Sequence, residues 1–255
     1  MNISLLTYNI CHGIGMDNKY NIERQSKFIK ETNVDVALIQ ELDFYNRRSG
    51  INENQLAKIS ELSEHMYYSA GINYEFKDGY YGNGIISKYP IIGSTNYPFK
   101  RVNITNERKG LLYNKILINN KIFHIFTTHF SVYEDERVLA AKMIIDIIKH
   151  SNKNDYIIIG GDFNVGTIKV GDHKYEYDPS EDIIEYDIIQ KKLNKVDNTE
   201  ITWRSTIGSG CLDTFFYSDN LELINFETIK NDYSDHYPIK VEFHIDDNWK
   251  DVQLR

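Results

Sequence analysis

Apolar positions recur along the chain with two periods. Ile3 to Ile10 is a short apolar, β-branched run and Val34 to Gln40 is a second, with helical spacing from about Asn21 to Glu31 between them. This order predicts a β-α-β opening. A second helix is predicted from Asn52 to Glu64, with Leu56, Ile59 and Leu62 on one face, then short strands near Met66 to Ala70 and Gly84 to Ser87, and a turn at Pro90. Leu111 to Ile118 and Lys121 to Phe130 flank Asn119-Asn120, which tolerates the left-handed backbone of a tight turn, so this stretch predicts a β-hairpin. Val138, Ala141, Ile144, Ile145 and Ile148 place an apolar stripe on a helix from Glu134 to Lys149 that should pack on a sheet.

Tyr156 to Ile159 has the pattern of a buried strand, ended by Gly160-Gly161 in a turn where backbone passes close to something. A helix near Glu181 to Lys192 and strands near Leu212 to Tyr217, Glu222 to Thr228 and Ile239 to His244 follow, and the polar tail from Asp246 to Arg255 is expected to fray. Strands and helices interleaved in this way predict an α/β fold with two packed, mostly antiparallel sheets flanked by helices. No low-complexity linker divides the 255 residues, so one domain spanning 1–255 is expected.

Composition narrows the setting. Hydrophobic residues at 41% and charged residues at 26% are a globular balance. The net charge of −8 opposes a broad footprint on duplex nucleic acid, which rests on many Lys and Arg contacts, although it leaves room for a local basic pocket. No apolar run reaches the roughly 18 to 20 residues of a spanning helix, and Met1-Asn2-Ile3-Ser4 lacks a basic start before a long apolar segment. A cytoplasmic protein is expected. Cys11 and Cys211 are too few for a disulfide framework and are not spaced for zinc, so reduced thiols are expected.

Polar residues follow the apolar strands repeatedly: Asn9 after Leu5-Leu6, Glu41 after Leu38-Ile39, His129 after Ile125-Phe126, and Asp162 with Asn164 after Ile157-Ile158-Ile159. Residues at neighbouring strand ends can meet at one sheet edge and build a rigid site. A carboxylate at Glu41 is costly to bury without a cation, which favours a hard metal such as Mg²⁺; the rival reading has Glu41 facing solvent. Asp162 can position a water, or it can cap local backbone with Asn164 in an Asx-turn. In Ser234-Asp235-His236, adjacent side chains diverge on extended chain, so Asp235 can face a metal while Asp213 orients His236. Ser234 lacks the nucleophile-elbow context of a Ser-His-Asp triad.

Together these segments resemble the endonuclease/exonuclease/phosphatase superfamily. The blocks run in order as Leu6-Thr7-Tyr8-Asn9-Ile10, Gln40-Glu41, Tyr81 to Ser87, Thr128-His129, Gly161-Asp162-Phe163-Asn164, Leu212-Asp213 and Ser234-Asp235-His236. The resemblance implies a four-layered, DNase I-like α/β sandwich with a divalent-metal hydrolytic site at one edge. It implies Asn9, Glu41 and Asp235 as metal-site residues, Asp162 and Asn164 as the pair that orients the nucleophile, and His236 with Asp213 as the catalytic histidine and its support. His129 resembles the histidine that contacts phosphate or the leaving group in DNase I-like and sphingomyelinase-like branches; its bland alternative is a strand-end histidine bonded to backbone.

Arg47-Arg48-Ser49-Gly50 and Glu107-Arg108-Lys109-Gly110 resemble basic loop blocks of small bacterial members. Arg47 and Arg108 are the expected phosphate contacts, with solvated loops as the alternative, and Asn83 is expected beside the site. The expected activity is Mg²⁺-dependent phosphoester hydrolysis, with Mn²⁺ as a substitute and phosphodiesters as the favoured class. A nuclease, a sphingomyelinase-type or phosphoinositide-type lipid phosphoesterase, and a silent binding module on the same fold are the rivals. A nucleotide-triphosphate site is disfavoured, because no Gly-rich loop ends in Gly-Lys-Ser/Thr. Tyr80 and Tyr81 are candidates for stacking on a base or sugar, with core packing as the alternative.

Overall fold

The computed structural model describes residues 1–48, 51–104, 107–171, 174–177, 183–206 and 208–246, so the tail beyond Asp246 lies outside the described residues. One sheet contains β1 (Asn2–Asn9), β2 (Val36–Phe44), β3 (Tyr67–Phe76), β4 (Gly79–Ser87), β15 (Glu222–Thr228) and β16 (Ile239–His244), in the order β15-β16-β1-β2-β4-β3. The other contains β5 (Ile91–Pro98), β6 (Gly110–Ile118), β7 (Lys121–His129), β8 (Tyr156–Asp162), β11 (Asn194–Lys195) and β14 (Asp213–Tyr217), in the order β11-β14-β8-β7-β6-β5. Each sheet has one parallel pair, β1–β2 and β7–β8, among antiparallel neighbours. Two short ribbons, β9 (Thr167–Gly171) with β10 (Lys174–Tyr177) and β12 (Trp203–Ser205) with β13 (Gly208–Gly210), lie outside the sheets.

Helices cover the outer faces. On the first sheet, α1 (Ile22–Thr32) starts where the Asn21 side chain accepts the Arg24 N–H at 2.9 Å and stops at Asn33 in the left-handed region, φ 53°. Asn54 caps α2 (Gln55–Leu62) by accepting from Ala57. Ile22, Ile29, Leu56 and Ile59 bury their apolar faces against Leu6, Tyr8, Ala37 and Ile39. On the second sheet, α3 (Glu134–Ile148) and α4 (Ile184–Gln190) bury Ala140, Ala141, Ile144, Ile148 and Ile189 against Leu111, Phe126, Ile159 and Phe216. Between the sheets lie Ile3, Leu5, Val36, Leu38, Leu112, Ile116, Phe123, Ile125, Ile158, Phe215, Val241 and Phe243. These are the four layers expected of a DNase I-like sandwich.

Four local expectations are corrected. The strand expected to stop at Gln40 continues to Phe44, interrupted by a bulge between Ile39 and Leu42 at which Glu41 adopts φ 61°. Gly160-Gly161 is no turn: both lie within β8, and the glycine requirement comes from a Cβ at Gly161 meeting the Thr128 carbonyl oxygen at 2.0 Å. The strands of the 67–87 hairpin are longer than expected, because Gly71, Gly79, Gly82 and Gly84 interrupt its apolar alternation while pairing resumes across a bulge between Ile72 and Tyr74. The expected helix near Glu181 starts at Ile184, and residues 181 and 182 lie outside the described residues.

Candidate active site

The site grows from the same alternation that builds the core. In β1, Ile3 and Leu5 face the second sheet, and two-residue periodicity turns Thr7 and Asn9 the same way. In β7 the sequence on that face is Phe123, Ile125, Thr127, His129, so both faces pass from apolar to polar toward one end of the sandwich. Gln40 stitches the sheets there, donating from Nε2 to Thr7 Oγ1 at 3.1 Å and to Thr127 Oγ1 at 2.9 Å. Register completes the arrangement: Asp162 stands directly opposite His129 on one side and Asp213 on the other. Directly opposed residues share a face, so the three side chains form a row.

Asn9 is the hub. Its Nδ2 lies 3.0 Å from Asp162 Oδ2, 3.4 Å from Glu41 Oε1 and 3.4 Å from His236 Nε2, while its Oδ1 accepts the Cys11 N–H at 3.0 Å. In this orientation Asn9 presents a donor to the carboxylates, whereas the expected metal ligand would present its oxygen. Asp162 uses its two oxygens differently. Oδ1 accepts the Asn164 N–H at 3.0 Å, the local Asx bond, while Oδ2 faces Asn9, His129 Nε2 at 3.4 Å and His236 Nε2 at 3.7 Å. Asn164, itself at φ 49°, donates Nδ2 to the Phe130 carbonyl.

His236 Nδ1 is 2.8 Å from Asp213 Oδ2. Thr202 holds the pair from behind: Oγ1 accepts the Leu212 and Asp213 N–H groups, and its carbonyl accepts from Tyr237. Ser234 is fully buried and donates Oγ to the Asn9 carbonyl at 2.7 Å, tying the 234–236 turn to the end of β1. Asp235 Oδ1 lies 3.3 Å from Ser234 Oγ, and its charge adds to burial in raising the Cys11 thiol.

Charge is distributed unevenly over these groups. Burial opposes a charge on His236, but Asp213 and Asp162 outweigh it and lift its pKa to about 10. Burial raises Asp162, with His236 pulling the other way. For His129, burial and then Lys109 drive the pKa well below the ordinary histidine value, so its ring is neutral at neutral pH. Burial would raise Glu41 too, yet nearby positive charge pulls it below the ordinary glutamate value: His129 contributes only when protonated, and with that ring neutral Lys109 and Arg48 carry the effect.

The two expected phosphate contacts take outward positions. Arg47 is exposed and pairs with Asp78, and Arg108 is exposed with Nε donating to the Phe99 carbonyl. Their neighbours take the inward positions: Arg48 pairs with buried Asp43 at 2.8 Å, and Lys109 Nζ bonds to the Tyr81 hydroxyl at 3.1 Å. Each basic pair puts one side chain outward and the next inward, and composition alone does not reveal which. Tyr81 is buried and its hydroxyl lies 3.5 Å from His129 Nδ1, so its ring is not open to a base or sugar. Asn83 is buried and donates to the carbonyl of Gly110, the residue opposite His129. Gln40, Arg48, Lys109 and His12 escaped the sequence reading as individuals, and Tyr81 was read for stacking and not for its hydroxyl; the two-residue step from Leu38 to Gln40 was the available signal for the first.

One cluster of donors and one separate carboxylate, Glu41, suit a cation. Asp162, Asp213 and His236 offer ligand atoms within 4.8 Å of one another, and the buried Asp213 Oδ1 has no protein partner. His236, however, is held as a cation between two carboxylates, which opposes metal ligation through that ring. Glu41 is the better anchor: it stays ionised, and its hydrogen bond to Asn9 is long at 3.4 Å.

Comparison with known proteins agrees with this fold. The chain is 26% identical over 190 residues to sphingomyelinase C of Bacillus cereus, an alignment covering 66% of the chain and 56% of that enzyme, so the chain spans little more than half its length. An endonuclease/exonuclease/phosphatase crystal structure from Beutenbergia cavernae superposes with a TM-score of 0.79 at 15% identity, covering 96% of this chain and 72% of that one. The mannosyl-6-phosphatase of Bacteroides thetaiotaomicron superposes with a TM-score of 0.72 at 14% identity, covering 95% and 100%. The description of the Endonuclease/Exonuclease/phosphatase family matches residues 6–236, from the strand that carries Asn9 to the histidine beside Asp213, and the chain belongs to that family.

Proposed function

We propose that this chain is a metal-dependent phosphoester hydrolase acting on phosphodiesters, with residues 1–255 working as one domain. The observation that supports this most is the buried row His129–Asp162–Asp213, closed by a His236 held as a cation and linked to Glu41 through Asn9. Hydrolysis needs a water oriented at phosphorus, a group to take its proton, and positive charge against the phosphoryl oxygens. Asp162 Oδ2 is the acceptor, its basicity raised by burial, and Asn9 and Asn164 fix its orientation. As the water oxygen bonds to phosphorus its proton passes to Asp162, while the P–O bond to the leaving group breaks. His236 supplies a fixed positive charge beside this centre, and Asp213 maintains it.

Glu41, with Asp235 on the Cys11 side, would hold the divalent cation, Mg²⁺ or Mn²⁺, whose chemistry is to neutralise charge developing on the phosphate and leaving oxygens. The Glu41 backbone fits this role. A non-glycine residue at φ 61° inside a strand costs on the order of 1 to 3 kcal/mol, and such strain persists where it aims a side chain. Among the described residues no helix is long and apolar enough to cross a membrane.

Purified protein is expected to hydrolyse bis(4-nitrophenyl) phosphate with Mg²⁺ or Mn²⁺, to stop with chelator, and to lose at least about 100-fold in kcat on Glu41→Gln or His236→Ala. Full turnover in both variants would overturn the reading.

A further inference from the structure

The two six-stranded sheets end in four edge strands, and an open edge offers a row of backbone donors and acceptors to any strand that can pair with it. Three of the four are guarded. β15 carries exposed Glu222 and Glu227 and shifts register between Leu223 and Asn225. β11 is two residues long, and β5 lies between Pro90 and Pro98 and shifts register between Ile91 and Gly93. β3 lacks these devices over most of its length. Met66 to Tyr74 contains no charged residue and no proline, and the pairing with β4 is unbroken from Tyr67 to Ile72.

The side chains along this edge are apolar and open. Tyr68 stands opposite Ile86 and Ala70 opposite Gly84, so Tyr68, Ala70 and Ile72 lie on the outer face, which α1 and α2 cover over the central strands. That cover thins at β3, where Ala70 is exposed, Tyr68 is 49% exposed and Ile72 37%, with Met66 81% exposed just ahead of the strand. A groove of about 480 Å³ runs beside them between residues 66–69 and 91–94. The backbone is turned outward as well. The Gly71 carbonyl faces Gly82 of β4, so alternation points the backbone groups of Tyr68, Ala70 and Ile72 to the open side, where the Asn96 side chain donates to the Ile72 carbonyl at 2.8 Å. A carbonyl oxygen has a second lone pair for a strand added there.

We propose that β3 is the interface through which two copies of this chain pair, antiparallel about a twofold axis at Ala70, joining their first sheets into one continuous sheet. Charge selects the occupant. Each copy carries −8, so identical surfaces repel except where they hold no charge, and the 66–74 segment is such a place. Symmetry selects it too. A twofold axis at Ala70 sets each Tyr68 opposite the partner's Ile72, an aromatic and β-branched pair of the kind that stabilises neighbouring strands, while the two small Ala70 side chains meet on the axis.

Sedimentation equilibrium on the full-length protein, without metal or substrate, tests this. A monomer–dimer equilibrium with a dissociation constant of about 10 μM or tighter is expected. It should tighten about 3-fold or more between about 50 and about 500 mM NaCl, as repulsion between the acidic copies is screened. Tyr68→Glu and Ile72→Lys are each expected to weaken it at least about 10-fold by placing an unpaired charge in the contact. The double variant is expected to recover most of the loss, because each introduced carboxylate then meets an introduced ammonium across the axis. Thermal melts confirm that all three variants fold. A wild-type protein still monomeric at about 200 μM would overturn the inference and leave the edge to an extended segment of another protein. A dimer indifferent to both single variants, a double variant no tighter than the singles, or a dimer that weakens as salt rises would overturn it equally.

Discussion

His236 and Asp213 are joined at 2.8 Å through Nδ1 and Oδ2, while Asp213 Oδ1 is buried without a protein partner. The carboxylate therefore spends its side-chain hydrogen bonding on the histidine, and the charge on His236 depends on it. Asp213→Asn keeps the shape and removes the charge. A lost negative neighbour disfavours the protonated ring, so the His236 pKa should fall from about 10 by roughly 1 to 3 units. An NMR titration of the ring reads this directly, and kcat on any hydrolysed phosphoester should drop about 100-fold or more. An unchanged titration would remove Asp213 from its assigned place.

Gly161 is required by space. An added Cβ would lie 2.0 Å from the Thr128 carbonyl oxygen, where two paired strands cannot separate without losing their ladder. Gly161→Ala is expected to destabilise by about 1 to 3 kcal/mol or more in urea unfolding. Gly93→Ala on edge strand β5, where the nearest atoms are side-chain carbons of Lys115 at 3.7 Å, should stay within about 0.5 kcal/mol of wild type.

Arg137 is among the largest fully buried side chains of the described residues, and its Nε donates to Glu185 Oε1 at 2.6 Å, joining α3 to α4. Arg137→Met leaves the buried Glu185 carboxylate without this guanidinium and is expected to cost about 3 to 5 kcal/mol, whereas adding Glu185→Leu should recover most of the loss. Parallel denaturant curves for the two proteins make the comparison.

The layers were legible because apolar periodicity reports burial, and burial here follows the sheets and helices closely. Edge strand β5 was not legible: Ile91 to Pro98 mixes Gly, Ser, Thr and Asn because much of it is exposed, so its pairing with β6 leaves little apolar signal. Of the site, His129 and Asp162 could be named from their position after apolar runs, and His236 with Asp213 from the Ser234-Asp235-His236 segment and the carboxylate its ring needs, and they do lie together. The choice between Arg47 and Arg48, or Arg108 and Lys109, depended on loop backbone direction, which residue type does not encode. The bulge that re-aims Glu41 is equally silent, because it inserts one residue without altering the apolar pattern on either side.

The donor cluster and the separate carboxylate make opposite predictions. Glu41 lies among positive groups that hold its pKa below the ordinary glutamate value. A carboxylate depressed in this way stabilises the fold above its unfolded pKa, and that contribution is lost as pH falls through its folded pKa. Glu41→Gln should therefore lower the melting temperature at pH 7 even in chelator, so the melting temperature alone cannot report the metal. The increment produced by Mg²⁺ can, since a ligand at 100 times its Kd stabilises by about 2.7 kcal/mol. If Glu41 anchors the cation, the increment is expected in wild type and in Asp213→Asn, and should vanish in Glu41→Gln. If the Asp162, Asp213 and His236 group binds it instead, the increment disappears in Asp213→Asn and survives in Glu41→Gln.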